Sequence, residues 1–361
     1  MVRYNTIGVM SGSSLDGLDF AYVEFYIENK EWKYLLMDAN CYPYSTEWIN
    51  RLSDLHKASA YDYQLAHHEL GQYIGECINQ FISTYKINKK ELIIGSHGHT
   101  IFHEPAKGFS SQIGCGGTIS AITNCTTVSD LRTGDVALGG QGAPIVPIGE
   151  RNLWSSYNMY LNIGGIANIS VIQYKETIAY DICAANRVLN LLCHTINLDY
   201  DKDGLIARSG QLNNDLLTAL NKVAYYQQPY PKTLNNSFGT DYIYTIIKEY
   251  NCTTEDALHT YTEHIAIQIS NVLNHHQKSM DKPSQLLITG GGALNKYLIE
   301  RIQYYISQDI KIVITTKLEI EYKEAIIMAF IGLLRVLNKT NILASVTGAK
   351  RNSVNGCVWK V

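Results

Sequence analysis

The sequence predicts an α/β protein of two related lobes, and three observations lead there. The chain has 361 residues, beyond the roughly 100–200 of one ordinary domain. A strand, a small-residue turn and a returning strand occur around Gly12 and again around Gly165, roughly 150 residues on. That distance suits duplicated lobes and not a solenoid, whose period is roughly 20–50 residues. Lastly, residues 286–289, the run Gly290-Gly291-Gly292, a helical stretch and residues 310–315 read as strand, glycine turn, helix and strand, a βαβ-type unit.

Taken in order, residues 4–10 are apolar enough for a buried strand, and Ser11-Gly12-Ser13-Ser14-Leu15-Asp16-Gly17 is small and polar, a turn. Residues 18–25 run β-branched and aromatic, the second strand. Glu28-Asn29-Lys30-Glu31 reads as a hairpin tip before a third strand, 32–37. Helical patterns cover 46–57 and 61–85, and a short buried strand, 92–95, ends in Ser96-His97-Gly98-His99-Thr100. The second half opens alike: strand 158–163, turn Gly164-Gly165, strand 167–172. A strand ending at Ile178-Ala179-Tyr180 delivers Asp181 ahead of a helical run, 186–193. Leu294, Leu298, Ile302 and Ile306 recur every four residues and so share one helical face. A strand at 310–315 and a helix from about 321 to 337 follow.

Composition excludes several classes. Lys+Arg of 30 against Asp+Glu of 33 leaves a formal charge of −3, with no basic excess to neutralise nucleic-acid phosphates. The longest apolar stretch, 325–334, is about half the roughly 20 residues that span a bilayer, so no membrane partner is expected. The N-terminal residues lack a signal-peptide apolar region. Eight cysteines without a Cys-x-x-Cys pair read as reduced thiols in a cytoplasmic protein. The 26 tyrosines suggest no chemistry of their own.

The glycine turns sit where strands end. Glycine lets backbone N–H groups approach a ligand closely, and clustered amides make an anion site. Around Gly12 the hydroxyls of Ser11, Ser13 and Ser14 and the carboxylate of Asp16 accompany those amides, a mixture suited to phosphate oxygens and a hydrated Mg²⁺. A plain polar hairpin is the alternative. Gly290-Gly291-Gly292 invites a dinucleotide reading, but Asn295 stands where the third glycine should be, and no Gly-Lys-Ser/Thr loop exists. His97, His99 and His103 suit either a zinc hydrolase or hydrogen bonds to a substrate. Asp181 suits a general base or a helix cap. Asp130 and Arg132 suit a plain ion pair, and Lys323-Glu324 a solvated helix end.

Together the motifs resemble one family. Gly8-Val9-Met10-Ser11-Gly12-Ser13-Ser14-Leu15-Asp16-Gly17-Leu18-Asp19 is similar to the N-terminal signature of anhydro-N-acetylmuramic acid kinases, and Ser96-His97-Gly98-His99-Thr100 to that family's Ser-His-Gly-Gln-Thr. Gly134-Asp135-Val136-Ala137-Leu138-Gly139-Gly140-Gln141-Gly142-Ala143-Pro144 and Leu161-Asn162-Ile163-Gly164-Gly165-Ile166-Ala167-Asn168-Ile169-Ser170 match closely. Thr289-Gly290-Gly291-Gly292-Ala293-Leu294-Asn295, Lys323-Glu324-Ala325 and Val346-Thr347-Gly348-Ala349 also fit, in order along nearly the whole chain.

The resemblance implies the sugar kinase/Hsp70/actin fold: two ribonuclease H-like lobes with mixed five-stranded sheets and ATP between them. The expected lobes are 1–145 with 338–361, and 146–337. It implies that ATP phosphorylates O6 of 1,6-anhydro-N-acetylmuramic acid while water opens the ring at C1, part of bacterial cell-wall recycling. A non-catalytic ATP-binding relative is the alternative. The implied nucleotide residues are Gly12, Ser13, Ser14, Leu15, Asp16, Gly17, Leu18, Asp19, Gly164, Gly165, Asn168, Gly290, Gly291, Gly292 and Asn295, with Mg²⁺ held by Asp16 through water. Ser96, His97, Thr100, Arg132 and Glu324 would meet the sugar, whose lactyl carboxylate suits a bidentate Arg132. Asp181 would be the catalytic base, and the protein a homodimer. Three departures stand out. The family's Asp-Thr-Gly-Pro-Gly-Asn reads Asp181-Ile182-Cys183-Ala184-Ala185-Asn186, a Gly-Ser-Thr reads Gly12-Ser13-Ser14, and Lys-Ser-x-Gly-Arg-Glu reads Lys232-Thr233-Leu234-Asn235-Asn236-Ser237. The last removes a guanidinium that no neighbour in sequence restores.

Overall fold

In the computed structural model the described residues are 2–12, 15–173, 176–230, 232–235 and 237–360. They form two compact units, Met1–Ser155 with Tyr322–Val361, and Ser156–Glu321. The first unit carries β1 (Arg3–Ser11), β2 (Gly17–Glu28), β3 (Glu31–Pro43), β4 (Ile93–Ser96), β5 (His99–Glu104), β6 (Phe109–Ile113) and β7 (Thr126–Ser129). The second carries β8 (Met159–Ile163), β9 (Ile166–Gln173), β10 (Glu176–Ala184), β11 (Ser284–Thr289) and β12 (Ile310–Ile314), and β13 (Cys357–Trp359) lies in the first unit again.

The two sheets share one topology. The first runs β13-β7-β4-β1-β2-β3 and the second β10-β9-β8-β11-β12. In each, the first three strands form an antiparallel meander. The next two add in parallel on the other side of the first. This is an α/β, ribonuclease H-like order occurring twice, so the duplication read from two hairpins extends to whole sheets. The first sheet has a sixth strand where five were expected. β13 pairs antiparallel with β7, and the Trp359 indole, donating to Ser129 Oγ at 3.0 Å, covers what would otherwise be an open edge.

Local chemistry explains the elements. Asn29 and Lys30 take φ of 50° and 69°, the left-handed pair that a tight β-hairpin requires. Helix Ala60–Tyr85 starts where Ser59 accepts from the Asp62 N–H and buries Ala66, Leu70, Ile74, Ile78 and Phe81, a stripe at helical spacing. The helix expected over 46–57 stops at Asp54 and tightens into a 3₁₀ turn, Leu55–Lys57. Leu294 falls outside helix Lys296–Tyr305, because Asn295 caps it by accepting from the Leu298 N–H.

The expected lobe boundaries at 145 and 338 move, for a packing reason. Ala325 to Ile331 of helix Lys317–Val336 are almost wholly buried. This helix lies backbone against backbone on the first unit's sheet. A Cβ on Gly8 would stand 1.8 Å from the Ala325 carbonyl oxygen, and one on Gly95 2.2 Å from that of Met328. Likewise Gly149 of helix Pro147–Leu153 packs on Ile327, and Trp154 meets Tyr34 at 5.4 Å between ring centroids. Gly8→Ala is expected to destabilise the protein by about 3 kcal/mol or more, since backbone cannot rotate away from the new methyl. A urea midpoint lowered at constant slope would show it, and an unchanged midpoint would refute the close packing.

Candidate active site

The first unit's hairpin joins two strands that register Ser11 opposite Leu18. Gly12 is part-exposed and Asp16 exposed, while Ser13 and Ser14 lie outside the described residues. Leu15 takes φ of 61°, its N–H donating to Gly12 O at 3.4 Å. Gly17 is required by packing, since a Cβ there would stand 2.4 Å from Tyr42 O. The Leu18 side chain is 0% exposed within the core, which leaves only its backbone for a ligand contact. Asp19 pairs across the sheet with Cys41, and burial together with that carboxylate pushes the Cys41 thiol up to about 12.

Arg132 sits at the centre of a polar network. His97 Nδ1 lies 2.9 Å from Gly98 O. A carbonyl only accepts, so the proton sits on Nδ1 and leaves Nε2 to accept from Arg132 Nε at 2.9 Å. Burial first, then the Arg132 charge, pulls His97 down to about 3, so it stays neutral in ordinary buffers. Arg132 Nη1 donates to Gly142 O at 2.6 Å. Nε and one N–H of Nη1 are thus engaged, and the second N–H of Nη1 and both of Nη2 have no such partner among the described residues. Gly142 N–H in turn donates to Asp135 Oδ2, and Thr347 Oγ1 to Asp135 Oδ1, both at 2.8 Å. The motif 134–144 is thus braced on a fully buried aspartate that sequence reading left without a role.

Burial lowers Arg132 to about 10, opposed by Glu324 and then Asp135, and it remains a cation at neutral pH. Burial raises the Glu324 carboxyl, opposed by Lys323 and then Arg132. Lys323 itself is buried and donates to Glu150 at 2.5 Å; the solvated-helix-end reading is therefore corrected. Ser96 is 0% exposed, its Oγ without a hydrogen-bond partner. Thr100 accepts from Gln112 Nε2 at 3.3 Å across the β5–β6 hairpin.

The zinc reading fails on the donors. His97 has both ring nitrogens engaged, His99 Nδ1 meets Ser11 Oγ at 2.9 Å, and His103 Nδ1 meets Ser110 Oγ at 3.2 Å. Among the described residues no three His, Cys, Asp or Glu side chains are arranged to hold a metal.

In the second unit, Asp181 lies within β10 and not at its end, opposite Asn168 where the register shifts before Cys183. Asp181 Oδ2 accepts from Leu234 N–H at 2.8 Å and Thr233 Oγ1 at 2.9 Å. Its backbone oxygen accepts from Tyr225 OH at 2.7 Å. Helix Asn186–His194 is capped by Ala185, without a side-chain bond, so the capping reading of Asp181 is corrected. Burial raises its pKa from the ordinary aspartate value, against those two hydrogen bonds. Thr233 and Tyr225 were missed from sequence; only the Lys232-Thr233 motif hinted at the first.

The departure Cys183-Ala184-Ala185 is fully buried. Ala185 takes φ of −132° and ψ of −108°, outside the main regions that L-residues occupy, and nothing in the structure explains the loss of glycine there. The Ala184 methyl, at the family's proline position, lies 3.1 Å from where a Cβ on Gly239 would stand, so Gly239 makes room for it. Asn186 N–H donates to Gly164 O at 3.1 Å, and its Nδ2 to Ile163 O at 3.1 Å. Gly290 has φ of 80°, and a Cβ there would stand 2.6 Å from Asn162 Oδ1; one on Gly292 would stand 2.2 Å from Ile163 Cγ2. The end of β8, the Gly164-Gly165 turn, the helix start at Asn186 and the Gly290-Gly291-Gly292 turn therefore converge. Asn168 lies beside them in β9, and Asn295 commits its Oδ1 to a helix cap.

Comparisons with known proteins agree with one another. The model of a family described as anhydro-N-acetylmuramic acid kinase matches residues 4–361. A protein of that name from Hydrogenovibrio crunogenus is 33% identical over 98% of this chain and 97% of its own length. One from Mannheimia succiniciproducens is 33% identical over 99% of this chain and all of its own. Among solved structures, the activator of 2-hydroxyisocaproyl-CoA dehydratase from Clostridium difficile, with bound ADPNP, is 12% identical at a TM-score of 0.46. That likeness covers 92% of this chain and 96% of that one; it is too distant to add to the strand order. A match from end to end, with relatives a third identical throughout, makes this chain a kinase that belongs to the anhydro-N-acetylmuramic acid kinase family.

Proposed function

We propose that this kinase uses ATP to phosphorylate O6 of 1,6-anhydro-N-acetylmuramic acid while water opens the ring, giving N-acetylmuramic acid 6-phosphate and ADP. The observation that carries it is Asp181, a carboxylate anchored through one oxygen by Thr233 and Leu234 and made more basic by burial. Water attacks C1 and gives its proton to Asp181 as the C1–O6 bond breaks. O6 then bonds to the γ-phosphorus, and the bond from that phosphorus to the β-phosphate bridging oxygen breaks, releasing ADP. Arg132 receives the lactyl carboxylate on the free N–H groups of Nη1 and Nη2, with Glu324, Ser96 and Thr100 on the sugar hydroxyls and His97 fixing the guanidinium.

Gly12, Leu15, Asp16, Gly17 and Asp19 in the first unit, and Gly164, Gly165, Asn168 and the Gly290-Gly291-Gly292 turn in the second, are assigned to the nucleotide. The exposed carboxylate of Asp16 beside a backbone turn fits a hydrated Mg²⁺, which takes oxygen ligands. When bound, Mg²⁺ offsets charge on the phosphates. Among the described residues no helix is long and apolar enough to cross a membrane. Cytoplasmic cell-wall recycling by a homodimer is the setting we propose.

The test is ADP release coupled to NADH oxidation, with and without the anhydro sugar, in ¹⁸O-labelled water. Sugar-dependent release with ¹⁸O at C1 of the product is expected. Release at the same rate without sugar would leave only an ATPase.

A further inference from the structure

We propose that Arg187 binds the nucleotide's phosphates at the Gly164-Gly165 turn, supplying a guanidinium that the Lys232-to-Ser237 segment lacks. This rests on reading that turn as a phosphate site. Arg187 follows Asn186 at the start of helix Asn186–His194, and its side chain folds back over the turn. Its Nε lies 3.4 Å and its Nη2 3.5 Å from where a Cβ on Gly165 would stand. Glycine is thus what lets the cation lie against the hairpin backbone.

The Nε atom is buried and has no hydrogen-bond partner. Leaving a charged donor both desolvated and unpaired is costly, and a cost of that kind is sustained where an anion is to be met. A guanidinium presents its donors in a fork that matches two phosphate oxygens.

The other cation nearby is spoken for. Lys232 Nζ donates to Tyr225 O at 3.2 Å and sits 4.6 Å from that ring's centroid. In the family pattern an arginine stands where this chain has Asn236. Three residues on, Gly239 would carry its Cβ 3.9 Å from Arg187 Cδ. The guanidinium missing from the Lys232-to-Ser237 sequence thus has a counterpart in Arg187, which packs beside Gly239.

Isothermal titration of the full chain tests this, using Mg-ATP and, separately, adenosine. Arg187→Met keeps the apolar stem and removes the charge. It should weaken Mg-ATP by roughly 10–100-fold, the loss of one or two charge-assisted hydrogen bonds. Adenosine affinity, the KM for sugar and the ligand-free melting temperature should stay near wild type, and Arg187→Lys should recover part of the loss. Mg-ATP affinity within twofold of wild type in the Met variant would overturn the assignment. So would equal losses in the Met and Lys variants, which would mean that charge is not what matters. Failure of the underlying reading shows differently: Gly164→Val would bind Mg-ATP as well as wild type, and the role of Arg187 would fall with it.

Discussion

Asp181→Asn is expected to fold, to bind Mg-ATP and sugar near normally, and to lose at least about two orders of magnitude in turnover. The substitution keeps the side chain's shape and leaves an amide oxygen able to accept from Leu234 and Thr233, which hold the carboxylate now. What it removes is the capacity to take a proton from attacking water. Because burial raises the Asp181 pKa, the base becomes protonated at a higher pH than an ordinary aspartate. Wild-type turnover should therefore fall, on acidification, at a higher pH than an ordinary aspartate, which titrates near pH 4, would give, and the variant's residual rate should lack that limb. Steady-state kinetics across pH measures both. Near-wild-type turnover in Asp181→Asn would move the search for the base to Asp16 or Glu324.

The second large effect is expected at Arg132. Arg132→Ala should raise the KM for sugar by roughly 10–100-fold, the worth of a charge-assisted contact, and change the KM for ATP little. The reason is local: His97 and Gly142 take one N–H each from Nε and Nη1, which fixes the guanidinium and leaves its remaining donors for the sugar. The comparison to make is between the two KM values. If both rise alike, Arg132 is a brace of its loop and not a sugar contact.

Much of this fold was legible because its signals are local. The meander strands alternate or run apolar, and the hairpin tip Asn29-Lys30 and the glycine turns mark their ends. The βαβ unit after residue 286 is equally plain. What sequence could not give was burial and partnership. Asp181 looked as much a cap as a base until Ala185 proved to hold the cap position. Lys323 looked like a surface residue until Glu150, far away in the chain, proved to be its partner. The lobe boundary was misplaced because an apolar helix shows that it is buried, not which sheet buries it. Arg187 drew no notice because an arginine after a helix start is commonplace, and only the geometry above Gly165 distinguishes it.

The glycine contact beneath helix Lys317–Val336 bears on how such a protein can drift. Glu324 directly precedes Ala325, whose carbonyl oxygen rests where a Cβ on Gly8 would be. The height of that glutamate above the sheet is therefore set by main-chain atoms, which are chemically the same whatever residues the lineage accepts. Elsewhere in a core, each exchange of a leucine for a valine shifts what lies above it by a fraction of an ångström. Here there is nothing to exchange. Apolar side chains throughout this core can be exchanged while the datum from which one carboxylate is measured stays put.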